Sequence, residues 1–169
     1  MAAILLEYER ESIFKEPDHG GWYKLLLKML NTSFDEFGKN KVSIITYNYD
    51  RSLEEFLVKA VNGRDMEKLP EGSWTNRLRE TIQIVHLHGK LGCHKHFLDV
   101  KNNGFIPYGG LGSKSDTRPT MIKLAAESIR IVHDQFDLDA DPAFKRAYEL
   151  LGSAKYVCFL GFGYDATNL

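Results

Sequence analysis

Apolar positions fall into two rhythms along the chain. Residues 3–14 and 21–31 have helical spacing. In the second, WYKLLLKML, Trp22, Leu25, Leu26 and Met29 share one face, with Lys24 and Lys28 opposite. The break Asp18-His19-Gly20-Gly21 separates them. Val42 to Tyr47 is instead a continuous β-type run, as in a strand covered on both faces. After Asp50, RSLEEFLVKAV returns to helical spacing, with Leu53, Phe56, Leu57 and Ala60 as its stripe. Residues 62–76 read as loop. Ile82 to Leu87 is a second apolar strand. Residues 91–120, with five glycines and two prolines, read as a loop-rich insertion. Met121 to His133 has helical spacing. Asp141-Pro142 suits a capped helix start, with the helix running to Leu151 and Gly152 ending it. A third strand is expected from Tyr156. No internal repeat or low-complexity tract interrupts this order. Strand, helix, strand in alternation predicts an α/β fold with a parallel sheet.

The three strands share a grammar. VSIITYNYD (42–50), IQIVHLHGK (82–90) and YVCFLGFGYDATNL (156–169) each pass from apolar residues to polar and small ones. Ligands of open α/β sheets sit outside the carboxyl ends of the strands. Thr46, Asn48 and Asp50, then His88 and Gly89, then the segment up to Asn168, are therefore candidate site residues. Extended geometry would put Asn48 and Asp50 on one face and Tyr49 on the other. A histidine can exchange a proton near neutrality, and glycine permits a sharp turn or close approach. His86 alternates onto the face of His88 but sits deeper, which suits a hydrogen-bonded structural residue. Asn48 and Asp50 also suit a simple turn and helix cap.

Composition narrows the classes. The 169 residues are 43% hydrophobic with a net charge of −1, which suits one globular domain and gives no support to a general nucleic-acid or membrane-surface role. Cys93 and Cys158 suggest no disulfide framework, and MAAILLEYERE has too short an apolar run for a leader, so a cytoplasmic setting is expected. No run has the roughly 18 apolar residues of a membrane span. Cys93, His94 and His96 fall short of a tetrahedral metal set, so no metal is expected. Gly109 to Ser115 lacks the Gly before Lys, and a preceding strand, that a phosphate loop needs. Asp137, Asp139 and Asp141 lack the turn glycine and closing Glu of a calcium loop.

T-x-N-x-D, a strand ending in H-G, and a strand ending in G-x-G, in this order, resemble the sirtuin-like (silent information regulator-like) family. The likeness is to its bacterial branch of NAD-consuming antiphage defence proteins. It implies a Rossmann-like parallel sheet with helices on both faces and NAD as substrate. It places Thr46, Asn48 and Asp50 at the nicotinamide-ribose pocket. His88 becomes the general base or the ribose-hydroxyl partner, and Gly161, Phe162 and Gly163 the cradle of the adenosine half. Arg51, Leu53 and Glu54 match the charged, Leu and Glu opening of the family's next helix. The implied reaction is hydrolysis of the nicotinamide–ribose bond, with Asn48 placing the water. Sirtuin deacylases carry paired C-x-x-C motifs and a Gln where Tyr47 stands, and this chain has neither. The family's opening strand and G-A-G-x-S turn are also unmatched, so residues 1–169 are expected to form a partial domain. An NAD-dependent protein deacylase and a non-catalytic nucleotide-sensing or scaffold domain are the alternatives. A homo-oligomer or a fused or associated sensor domain is the expected partner, without membrane or direct nucleic-acid binding.

Overall fold

The computed structural model describes residues 1–9, 14, 21–30, 33–62, 70, 72–94, 105–109, 118–130 and 140–160. Helix α1 (Ala2–Tyr8), α2 (Gly21–Met29) and the single turn α3 (Phe34–Phe37) precede strand β1 (Ser43–Thr46). Then come α4 (Ser52–Asn62), α5 (Ser73–Thr81), strand β2 (Gln83–His86), α6 (Arg118–Ser128) and α7 (Pro142–Ser153). The strands are parallel, with Ser43 opposite Gln83, Ile44 opposite Ile84, Ile45 opposite Val85 and Thr46 opposite His86. Parallel pairing needs a long crossover, and α4 and α5 supply it.

Alternation along β2 separates two layers. Ile44 and Ile84 pack into a core built by Leu53, Leu57, Val58 and Val61 of α4 and Trp74 and Leu78 of α5. The adjacent Gln83 instead accepts from Arg146 Nε of α7 at 3.1 Å. Successive side chains of a strand point to opposite faces, so α7 covers the face away from α4. A second core joins Ala2 and Leu6 of α1, Leu91, Ile106 and Ala125 of α6. Leu91 and Ile106 bring parts of the loop-rich 91–120 stretch into this core, where Cys93 and Phe105 form a backbone bridge.

Several elements differ from expectation. Helix α5 starts inside the span read as loop. Its sequence, SWTNRLRET, is largely polar, and it forms because Trp74 and Leu78 are buried. The Trp74 ring meets Phe34 and Phe37 edge-on at 5.1 and 5.6 Å. Helix α2 turns Tyr23 and Leu26 to the core and leaves Trp22, Leu25 and Met29 exposed, so the buried stripe is not the one predicted. Asp141 caps α7 as expected, its Oδ1 accepting from the amides of Ala143 at 2.8 Å and Phe144 at 3.2 Å. Gly152 does not stop that helix, which runs one residue further. Residues 154–160 form no strand, and Tyr156, at 83% exposed, heads an uncovered apolar run. A strand is held by its ladder and by packing on its faces. The described ladder joins β1 to β2, and Tyr156 to Leu160 are exposed, so β-type composition alone does not make a strand. Gly161, Phe162 and Gly163 lie outside the described residues, as does residue 168.

Arg51 joins the layers. Its side chain is fully buried, and its Nε and Nη2 donate to the Glu9 carboxylate, the former at 3.1 Å. Nη1 donates to the Ile106 carbonyl at 2.6 Å. Removing one member of a buried ion pair strands the other without compensation, at about 3–5 kcal/mol. Arg51→Ala is therefore expected to cost a large share of total stability. Denaturant melts of the variant and parent check this, and a change below about 1 kcal/mol would contradict it.

Candidate functional site

Both strand tips stay paired beyond the strands. Leu87 N donates to Thr46 O at 3.0 Å, and Leu91 N donates to Tyr49 O at 2.9 Å. The first tip is a compact turn. Thr46 Oγ1 accepts from Asn48 N at 3.1 Å, and the Asn48 side chain is exposed. Tyr49 turns inward, its hydroxyl donating to Arg130 O at 2.7 Å. Asp50 Oδ1 accepts from Ser52 N at 3.0 Å and so starts α4. Glu9 Oε1 accepts from Arg51 N at 2.7 Å, one residue earlier. Two carboxylates thus meet the amide end of α4, where the helix dipole favours negative charge. The turn-and-cap role of Asp50 is therefore fulfilled.

The two histidines at the second tip part company. His86 reaches toward α4, with Nε2 2.9 Å from Glu54 Oε1 and Nδ1 2.7 Å from Asn48 O. His88, two residues on, lies toward α7, its ring 5.6 Å from that of Tyr47 and 5.9 Å from that of Phe144. They were expected to share a face. The turn at Leu87 and His88 breaks the alternation. It is locked by Gly89, whose φ of 79° is left-handed. A Cβ there would fall on the Ser128 carbonyl oxygen. Close approach at Gly89 is thus real, and the chain itself, at the end of α6, is what approaches. Gly89 pairs with Ile129, and Arg130 N donates to His88 O at 2.8 Å.

The surroundings of His88 set its proton affinity. Burial lowers its pKa, the nearby Arg130 charge lowers it further, and Asp141 works weakly the other way. The ring is therefore neutral near pH 7, the form that can accept a proton. Arg130 forms an ion pair with Asp141. Burial acts to raise the Asp141 carboxyl, but the Arg130 guanidinium and the Phe144 and Ala143 amides outweigh it and hold it low.

On the α4 side, burial acts to raise Glu54, yet His86 and then Lys90 outweigh it and hold the carboxyl low. Lys90 Nζ is 3.8 Å from the same Oε1. Next to it, Glu55 Oε2 sits 2.6 Å from His94 Nε2. No cluster of three or more His, Cys, Asp or Glu suited to a metal occurs among the described residues. No described helix is long and apolar enough to cross a membrane. Sequence reasoning gave no role to Glu9 and took Arg51 and Glu54 only as part of a helix opening. An Asp-x-x-x-Glu-Glu start reads equally well as ordinary dipole compensation, so no local signal marks Glu54 as a partner of His86.

A model of the SIR2-like domain matches residues 42–169, about three quarters of the chain. The match takes in both strand tips and Gly161 to Gly163, and this chain belongs to the SIR2-like domain family. No curated protein and no solved structure gives a match.

Two outcomes follow from this geometry. Gly89→Ala forces a left-handed Ala against a backbone carbonyl, so destabilisation beyond the roughly 1–3 kcal/mol of a strained backbone is expected. A thermal melt within a degree of the parent would contradict the close approach. Asp141→Asn removes the negative charge that supports protonation of His88 and leaves Arg130 unbalanced. The His88 pKa is expected to fall further, which a histidine NMR titration measures directly.

Proposed function

We propose that this chain is a nucleotide-processing domain that cleaves NAD at the nicotinamide–ribose bond. The observation that carries the reading is the placement of T-x-N-x-D and H-G at the carboxyl ends of two adjacent parallel strands, in a chain of the SIR2-like family. Breaking that bond leaves an oxocarbenium-like sugar, which a positioned water can capture. In this reading Asn48 places the water, exposed at the first tip. His88, neutral because of burial and Arg130, draws a proton from the water or from a ribose hydroxyl. Thr46 and Asp50 shape the turn that presents Asn48. Gly161, Phe162 and Gly163 are assigned the adenosine half on the family pattern alone. NAD depletion as an antiphage response is the setting this reading carries with it.

One observation favours a second reading, a nucleotide-binding domain without turnover. The His88 side chain is buried, at 6% exposed, between Tyr47 and Phe144, and a base must reach its substrate. Nicotinamide release by the parent and by His88→Ala and Asn48→Ala separates the two, with thermal melts run alongside. A loss of about 10²–10⁴-fold in each variant at parental stability is the expected result. Turnover of His88→Ala at the parental rate removes it as the base. Saturable NAD binding by a parent that releases no nicotinamide supports the second reading. A protein deacylase would show acetyl-lysine turnover in the same assay series. The sign of the pH effect is fixed: the lowered His88 pKa means the rate falls on the acid side, below the ordinary histidine value of about 6.5.

A further inference from the structure

The contacts of His86 point to a role that its neighbour His88 does not have. The ring touches two groups that can only accept hydrogen bonds if Glu54 is ionised. Nδ1 is 2.7 Å from the Asn48 carbonyl oxygen, and Nε2 is 2.9 Å from Glu54 Oε1. A neutral imidazole has one donor and one acceptor nitrogen, so it cannot serve both. Either the ring is an imidazolium beside a carboxylate, or Glu54 is protonated and donates to Nε2. Lys90 Nζ, 3.8 Å from the same Oε1, favours the carboxylate. All three groups are linked to the first strand tip: Glu54 from the opening turn of α4, His86 from the end of β2, and Lys90 just after the Gly89 turn. The Asn48 carbonyl is thus gripped across the sheet by a side chain that is itself held by α4.

We propose that His86, doubly protonated and backed by ionised Glu54, is the positioning residue of the Asn48 tip. It fixes the backbone from which the Asn48 side chain projects. The functional part rests on the NAD-cleaving reading. The clamp itself does not, and it has its own signature.

The test uses the full chain with nitrogen-15-labelled histidine. At neutral pH both ring nitrogens of His86 are expected to carry protons. Glu54→Gln replaces the carboxylate with a group that can donate to Nε2. Nε2 is then expected to lose its proton while Nδ1 keeps its proton and its bond to Asn48 O. This variant should cleave NAD at close to the parental rate. Glu54→Ala and His86→Ala should each lose about 10–100-fold in kcat with little change in KM, as expected for a misplaced reacting group. An unprotonated ring nitrogen in the parent overturns the proposal, as does parental kcat in His86→Ala. If the parent does not cleave NAD, the proposed function fails but the clamp is still judged. Faster amide exchange at Asn48 in His86→Ala supports it, and unchanged exchange overturns it. Should His86→Ala fail to fold, the ring-nitrogen change in Glu54→Gln decides alone.

Discussion

The buried pair of Arg51 and Glu9 is the contact on which the site depends. Arg51 immediately follows Asp50, so whatever fixes its guanidinium also fixes the base of the first strand tip. Its donors are divided among the Glu9 carboxylate and the carbonyls of Ile106, Cys93 and Pro107, the last two at 3.4 Å. The Tyr108 ring lies 5.9 Å from its centre. One side chain thereby draws α1 and the stretch around residues 106–108 onto the start of α4. Burial is expensive here. It raises the Glu9 carboxyl in spite of the adjacent guanidinium. A buried pair of this kind is weak evidence for stability as such. What it supplies is geometry: a planar fork satisfied on several sides admits little variation in where the tip begins.

Around that anchor, two histidines two residues apart serve opposite sides of the sheet. His86 belongs to the α4 side and to Asn48, while His88 belongs to the α7 side with Arg130 and Asp141. The Gly89 turn makes this possible by letting the chain leave strand geometry against the end of α6. The result is a neutral imidazole in one environment and a carboxylate-held one in the other.

Much of this was legible in the sequence. Continuous runs of Ile and Val gave both strands to within two residues, and Asp141-Pro142 gave a helix start. The polar residues after each strand gave the tips. Contacts made at a distance were not legible. Helix α5 owes its existence to Trp74 against Phe34 and Phe37, and its own residues favour no particular state strongly. Helix α2 carries two apolar stripes, and only the neighbouring core decides which is buried. The run from Tyr156 has strand composition but no ladder among the described residues. At the candidate site, the positions of Thr46, Asn48 and His88 at or just past the strand ends could be read in advance. Glu9 and Glu54 act through partners 42 and 32 positions away, which no spacing rule reaches.

The opening turn of α4 has a mechanical consequence. Glu54 holds His86 and Glu55 holds His94, from consecutive positions that are about 100° apart around the helix axis. Two tethers at different angles stop a cylinder from rolling, where a single tether leaves it a pivot. Helix α4 therefore cannot rotate about its axis without breaking one of them. Its angular setting, and with it the direction in which the first tip leaves the sheet, is keyed at two points.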